Sequence, residues 1–381
     1  MSNRNLVMLG IAAAAMVVLA VAMSKISSLP YQPPGASGYL IQGLDPDQIA
    51  VITVGKGDEQ VKLVRIRKNF VVANKDNYPA AAKEINKLIT TCLDIRTAEL
   101  YTDNPENFEA LGVTEDDARH LVKFYSADSN LMTGVIIGKQ KQGGEGIGYV
   151  RRVNDNSVYV TAAQIPWIKN QATDYMEQEM LNVKREDIES VTVNSPDDTY
   201  VLRAGENDTI TLDNPPQGKV LKQDAANSVF LALASVRFDD VNAESSRNDL
   251  IFDRRYICRL KNSTAYTFWL AKEGDNWFIK CDAQFADQTP VTMTQGQVES
   301  EEELKKKEAK LLAQADAEEF ARKHKGWIYQ ISDYKAVNLT KPLTELVEDS
   351  AHTVQQKEDE EPNQPDIDEL LNNFTESAIE R

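Results

Sequence analysis

The chain has 381 residues, 42% hydrophobic and 27% charged, with a formal net charge of −17, enough for two ordinary domains beyond a membrane segment. No basic patch or arginine-rich run interrupts this acidity, and repulsion from phosphate excludes a nucleic-acid partner. Nine acidic residues stand between Glu348 and Glu369 against the single Lys357, so −8 of the −17 belongs to a tail and the folded body is only mildly acidic.

Residues 1–5 form a short N-terminus, and from Leu6 to Met23 the run LVMLGIAAAAMVVLAVAM carries no charged or polar side chain. As a helix rising about 1.5 Å per residue it covers roughly 27 Å, near the hydrocarbon thickness of a bilayer. The reading is a transmembrane anchor at 6–23, with the bilayer as its partner. A cleaved secretory signal is the competing reading, because Arg4 precedes the run and Ala20-Val21-Ala22 has the small-x-small pattern of a cleavage site; the apolar core of such signals is usually about 7–15 residues. Lys25 is followed by no Lys or Arg until Lys56. This slight bias places the N-terminus in the cytoplasm and the body outside it, in a single-pass protein of the inner membrane with a periplasmic bulk.

Residues 24–43, SKISSLPYQPPGASGYLIQG, read as a flexible tether because proline, glycine and serine outnumber periodic apolar positions. The first domain, 44–171, opens with DPDQIAVITV, a turn followed by strand-like alternation. Strands are expected at Val61 to Arg65 and at Phe70 to Val72. In YPAAAKEINKLITTCLDI, Pro79 suits a first helical turn, and Ile85, Leu88, Ile89, Cys92 and Leu93 recur at helical spacing. A second strand block follows: His120 to Tyr125, Gly134 to Ile137, Gly148 to Arg152 and Val158 to Val160.

The second domain, 183–347, repeats this plan. Ile49 to Val54 is echoed by Ile188 to Val193, and NKLITTCLDIR ending at Arg96 by NSVFLALASVR ending at Arg237. Val135 to Lys139 corresponds to Phe268 to Lys272, Gly148 to Arg151 to Trp277 to Lys280, and Val158 to Val160 to Ile328 to Gln330. The fold class is therefore α+β, with two tandem, duplicated domains of mostly antiparallel sheet and a packed helix. An insertion at 299–325, without glycine or proline before its end, predicts a long helix with Glu301–Lys305, Glu302–Lys306 and Glu303–Lys307 pairs along its surface. Leu304, Leu311, Leu312 and Ala315 form its apolar stripe. Asn338 to Val347 closes the domain. Residues 348–381 read as a disordered acidic tail, with Ile367, Leu370, Leu371, Phe374 and Ile379 outlining a short amphipathic helix that fits a docking role or a frayed end.

Chemistry is sparse. His120, His324 and His352 converge with no cysteine pattern, so no metal site is expected. No Gly-x-Ser-x-Gly elbow occurs. The run Gly143 to Gly148 lacks the Lys-Ser/Thr of a phosphate loop and precedes a strand, which predicts a hairpin loop. Acidic residues are many, yet none shows the spacing of a calcium loop or singles out a catalytic pair. No catalytic, cofactor-binding or metal-binding residue is assigned. Cys92 falls on a buried helix face, while Cys258 and Cys281 lie in two strands of one meander, where either a bridge or two core thiols fits. Trp269, Trp277 and Trp327 stand in the second strand block, where a row of tryptophans on an open sheet binds a glycan or peptide. Core filling plus one rim residue explains them without a ligand, since Phe268 and Trp269 point to opposite faces, and is the preferred reading.

The strand IAVITV followed by VKLVR and FVV, then NYPAAAKEINKLI, NPENFEALGV ending at Val113, and GYVRRVNDNSVYV from Gly148 resemble the bacterial family called domain of unknown function 4340. The likeness covers most of residues 1 to 170 and, more loosely, the second copy; Phe70 stands where the family often has tryptophan. These motifs are structural, so no functional residue carries over. Members are often encoded beside ABC-type transporter components, including those similar to gliding-motility auxiliary proteins. The resemblance implies, by association, an accessory role in an envelope transport assembly with transporter subunits as partners. With the single span, the tether, the two repeats and the missing catalytic constellations, the reading is a non-enzymatic, membrane-anchored accessory protein with no small-molecule ligand expected. An envelope glycan- or peptide-binding module is the alternative, and a hydrolase using two carboxylates a third reading.

Overall fold

The computed structural model describes residues 38–291 and 300–350. The chain divides into two units, Met1–Met176 and Glu177–Arg381, each mixed α+β with mostly antiparallel sheet.

The first unit is built on ten strands: β1 (Gly38–Tyr39), β2 (Val51–Val54), β3 (Val61–Ile66), β4 (Asn69–Val72), β5 (Tyr78–Pro79), β6 (Arg96–Thr102), β7 (His120–Tyr125), β8 (Leu131–Gln140), β9 (Gly148–Arg152) and β10 (Val158–Thr161). They form one antiparallel sheet in the order β1-β6-β10-β9-β8-β7-β2-β3-β4-β5. Helix α1 (Ala82–Leu93) buries Ile85, Leu88, Ile89 and Cys92, the spacing legible in the sequence. The short α2 (Phe108–Leu111) ends at Gly112, whose φ of 66° is the left-handed conformation glycine adopts without strain. Phe108 and Leu111 join Ile136, Tyr149, Val158 and Val160 in one apolar cluster.

In the second unit the strands are β11 (Glu179–Leu181), β12 (Ile188–Asn194), β13 (Thr199–Ala204), β14 (Ile210–Leu212), β15 (Lys219–Leu221), β16 (Val236–Arg237), β17 (Asp240–Ala243), β18 (Arg254–Leu260), β19 (Thr264–Glu273), β20 (Asn276–Phe285), β21 (Trp327–Ile331) and β22 (Val347–Asp349). Eight make an antiparallel sheet in the order β14-β13-β12-β18-β19-β20-β21-β17; β11 pairs with β16 and β15 with β22. Helix α3 (Gln223–Phe230) buries Ala226, Val229 and Phe230, and Val229 offers its carbonyl to the buried Tyr256 hydroxyl at 2.8 Å. The long helix α4 (Glu301–His324) starts on a capping box between Ser300 and Glu303. Helices α5 (Asp333–Thr340) and α6 (Leu343–Leu346) follow β21. Strand for strand, the order β4-β3-β2-β7-β8-β9-β10-β6 of the first sheet matches β14-β13-β12-β18-β19-β20-β21-β17 of the second.

Four local expectations need correction. Residues Gly38 to Ile41 are not tether: Gly38 and Tyr39 pair with Thr97 and Arg96, and Leu40 and Ile41 are buried, because two adjacent apolar side chains gain more from the sheet edge than from water. Pro79 lies in β5 opposite Val71 and α1 begins at Ala82; an edge strand tolerates a residue with no N–H to donate. The apolar stripe of α4 is reversed. Leu304, Leu311 and Leu312 are 48%, 51% and 56% exposed, whereas Ala313, Ala317, Phe320 and His324 are buried. Small side chains let a helix approach a sheet closely, so alanine seats α4 where leucine would hold it off. The fold also runs beyond Val347, since Glu348 and Asp349 pair with Val220 and Lys219.

Glu301 and Lys305 on α4 pair at 2.6 Å. Among the described residues no helix is long and apolar enough to cross a membrane. The expected span Leu6–Met23, the expected tail beyond Ser350 and its terminal helix all lie outside the described residues.

Candidate functional site

Two of the three strand tryptophans converge. In β19 the residues Phe268 and Leu270 are buried and Trp269, between them, is half-buried on the opposite face. Trp269 is register-paired with Lys280 of β20, so both side chains rise from the same face. The end of α4 and the start of β21 bring Arg322, Lys325 and Trp327 alongside, around an open groove of about 830 Å³. Trp277 goes elsewhere: it is buried, and its indole nitrogen donates to Asp333 at 3.1 Å.

Lys280 is the organising cation. Its Nζ lies 4.8 Å from the Phe252 ring centroid and 5.9 Å from that of Trp269, and it donates to Glu244 at 3.3 Å. A cation held between rings keeps the indole face aligned along the groove. Beneath it, His324 is 2% exposed. Its Nδ1 lies 2.7 Å from the Tyr329 hydroxyl, and its buried Nε2 has no hydrogen-bond partner among the described residues. Burial, reinforced by the neighbouring Lys323 charge, lowers the His324 pKa from 6.5 to about 4, so the imidazole is neutral at physiological pH. The arrangement offers aromatic faces and cations to a ligand.

Beyond Asp282 the groove continues into a second hollow of about 760 Å³ between Ala283 to Phe285 of β20 and Leu311, Gln314 and Glu318 of α4. Together the hollows follow one flank of β20. Nothing in the sequence marked this flank, because it depends on where α4 lies and on how early β21 leaves its neighbour.

The first unit holds a smaller cavity of about 190 Å³ bounded by Glu84, Leu88, Trp167 and Tyr175. Trp167 is 69% exposed, with the Arg119 guanidinium 5.5 Å from its centroid and the buried His120 ring edge-on at 5.0 Å. Burial and the adjacent Arg119 lower the His120 pKa. Trp167 belongs to no strand or helix pattern in the sequence, so no periodicity marks it.

Cys92, Cys258 and Cys281 are all free and buried. Cys258 and Cys281 lie on β18 and β20 with β19 between them, roughly 10 Å apart by strand spacing and beyond the reach of a disulfide. Burial pushes the Cys92 and Cys258 thiols up to about 12, which leaves them unreactive. The Gly143 to Gly148 run is the loop of the β8–β9 hairpin, closed by Gln140 opposite Gly148. Among the described residues no three His, Cys, Asp or Glu side chains gather as metal ligands.

The stretches that carried the family resemblance fit together through one residue. Asn104 caps the turn that leads into α2, accepting from the Glu106 amide at 3.1 Å. Arg151 of β9, only 9% exposed, donates to the Val113 carbonyl at 2.9 Å and to the Asp155 carbonyl at 2.8 Å, with its guanidinium 4.4 Å from the Phe108 centroid. NPENFEALGV and GYVRRVNDNSVYV are thus two halves of one structural clasp. No curated protein and no solved structure matches the chain. The family model described as Domain of unknown function (DUF4340) matches residues 71–255; this is the family that the sequence motifs resemble, over a stretch that reaches from the first unit into the second copy.

Proposed function

We propose that this chain is a non-enzymatic accessory protein of the bacterial envelope, tethered to the inner membrane by Leu6–Met23, that uses its second unit to hold a partner polypeptide. The observation that carries the reading is the groove of Trp269, Trp327 and Lys280, lined by aromatic faces and by the cations Arg322 and Lys325. Aromatic faces beside cations suit recognition of a polypeptide. The common strand order supports an origin of both units by duplication, with α4 a later insertion that walls the groove in the second copy alone. An ABC-type transporter subunit is the proposed partner class, on the strength of the family resemblance, and a periplasmic body follows from the charge bias around the anchor.

Crosslinking the full chain in its membrane, followed by detergent extraction, tests this reading. A discrete membrane-protein partner is expected with the native chain and a loss of at least tenfold in its yield with Trp269→Ala/Trp327→Ala. Equal yields with and without the two rings would overturn it. A glycan is the second reading, favoured by the half-buried Trp269 ring beside Lys280. Titrating soluble envelope polysaccharide against intrinsic tryptophan fluorescence separates the two, and an unchanged spectrum removes the glycan.

A further inference from the structure

Strand β20 is longer than the neighbour on its outer flank. It pairs with β19 along its whole length, from Glu273 opposite Asn276 to Thr264 opposite Phe285. On its other side β21 covers only Trp277, Phe278 and Ile279. The remaining residues, Lys280 to Phe285, have no strand beside them among the described residues.

Hydrogen-bond parity fixes which backbone groups this leaves. The β19–β20 hairpin turns through Gly274 and Asp275, and the Ala286 amide donates to the Ser263 carbonyl at 2.8 Å. In an antiparallel ladder alternate residues bond to the same neighbour, so Lys280, Asp282 and Gln284 turn their amides and carbonyls toward β19. Cys281, Ala283 and Phe285 turn theirs outward, along the groove. Cys281 and Ala283 are only 7% and 6% exposed, and no hydrogen bond to these three outward amides exists among the described residues. Buried backbone polar groups are nearly always paired, at a cost of about 1–3 kcal/mol for each one left unmade. In the first unit β10 likewise covers three residues, Tyr149, Val150 and Arg151, but β9 ends at Arg152, so only the second unit extends this strand beyond its outer neighbour.

We propose that the edge of β20 from Cys281 to Phe285 receives an extended peptide of a partner protein as an added β-strand. This rests on the peptide-binding reading of the groove and names how the peptide is held. Only another main chain in extended conformation presents donors and acceptors at the repeat that Cys281, Ala283 and Phe285 demand; a sugar does not. At about 3.3 Å per residue the edge accommodates five to seven peptide residues. Main-chain bonds supply affinity, while the two ends supply selectivity. Trp269 and Trp327 receive an apolar side chain at one end, where Arg322 and Lys325 favour an acidic residue or a terminal carboxylate. Leu311 receives an apolar side chain at the other.

The test uses the full chain in detergent micelles and a phage-displayed library of random twelve-residue peptides. Selection is expected to enrich alternating apolar sequences with an acidic residue at one end. Bound as synthetic peptides, these should slow hydrogen exchange at the amides of Cys281, Ala283 and Phe285 at least tenfold. Ala283→Pro removes one outward amide without touching the β19 ladder, and should weaken binding at least tenfold with an unchanged circular dichroism spectrum. Should that variant fail to fold, the exchange measurement on the native chain decides alone. Peptides that bind and leave those three amides unprotected would overturn strand addition while sparing the peptide-binding reading. Amides already slow to exchange without peptide would also overturn it, because the chain would then satisfy its own edge. A library yielding no enriched peptide removes both.

Discussion

Arg151 shows how one side chain turns two sequence motifs into a single structure. Its guanidinium bridges the Val113 and Asp155 carbonyls and covers the Phe108 ring. Arg151→Ala takes the donor from the buried Val113 carbonyl and from the partly buried Asp155 carbonyl, and opens a gap over Phe108. A loss of about 2–3 kcal/mol in unfolding free energy is expected, measured by urea denaturation. Arg151→Lys should recover little of it, because an ammonium cannot span both carbonyls as the planar guanidinium does.

His324 and α4 belong to the scale of the element. The folded chain holds this imidazole neutral with a pKa of about 4 against an ordinary 6.5, so between these values the unfolded chain binds more protons. Stability contributed by neutral His324 is complete above pH 6.5, falls as pH drops toward 4, and levels off below; the loss is about 3 kcal/mol at most. His120 adds a loss of the same sign. Stability curves at pH 7 and pH 4.5 should therefore converge in His324→Gln relative to the native chain. On the same helix, Ala317 is 1% exposed while Leu312 is 56% exposed. Ala317→Leu overpacks the seat on the sheet and should cost about 1–3 kcal/mol, whereas Leu312→Ala should stay within about 0.5 kcal/mol. Thermal unfolding of the pair separates the faces; equal effects would contradict the packing assigned to α4.

For the whole molecule, the division between Met176 and Glu177 places a buried core on each side. Residues 38–176 and 177–350 expressed separately should each give a cooperative unfolding transition with antiparallel-sheet circular dichroism; a structureless second piece would contradict this. Much of this architecture was legible from side-chain periodicity. Ile85, Leu88, Ile89 and Cys92 announced α1, alternation announced the strands, and echoed segments announced that β2 and β12, β8 and β19, and β9 and β20 hold equivalent places in their sheets. Such patterns are local: they record which face of an element is dry. They do not record what makes it dry, and so the leucine spacing of Leu304, Leu311 and Leu312 points to the wrong face of α4, which is seated through Ala313 and Ala317. Trp269 and Trp327 stand 58 positions apart in sequence, and only the path of α4 back to β21 brings them to one groove. Composition and periodicity alone determined an acidic, two-unit α+β chain. Tertiary structure decided the groove and the bare flank of β20, because both depend on where one strand stops beside another, a long-range registry that no short window of sequence contains.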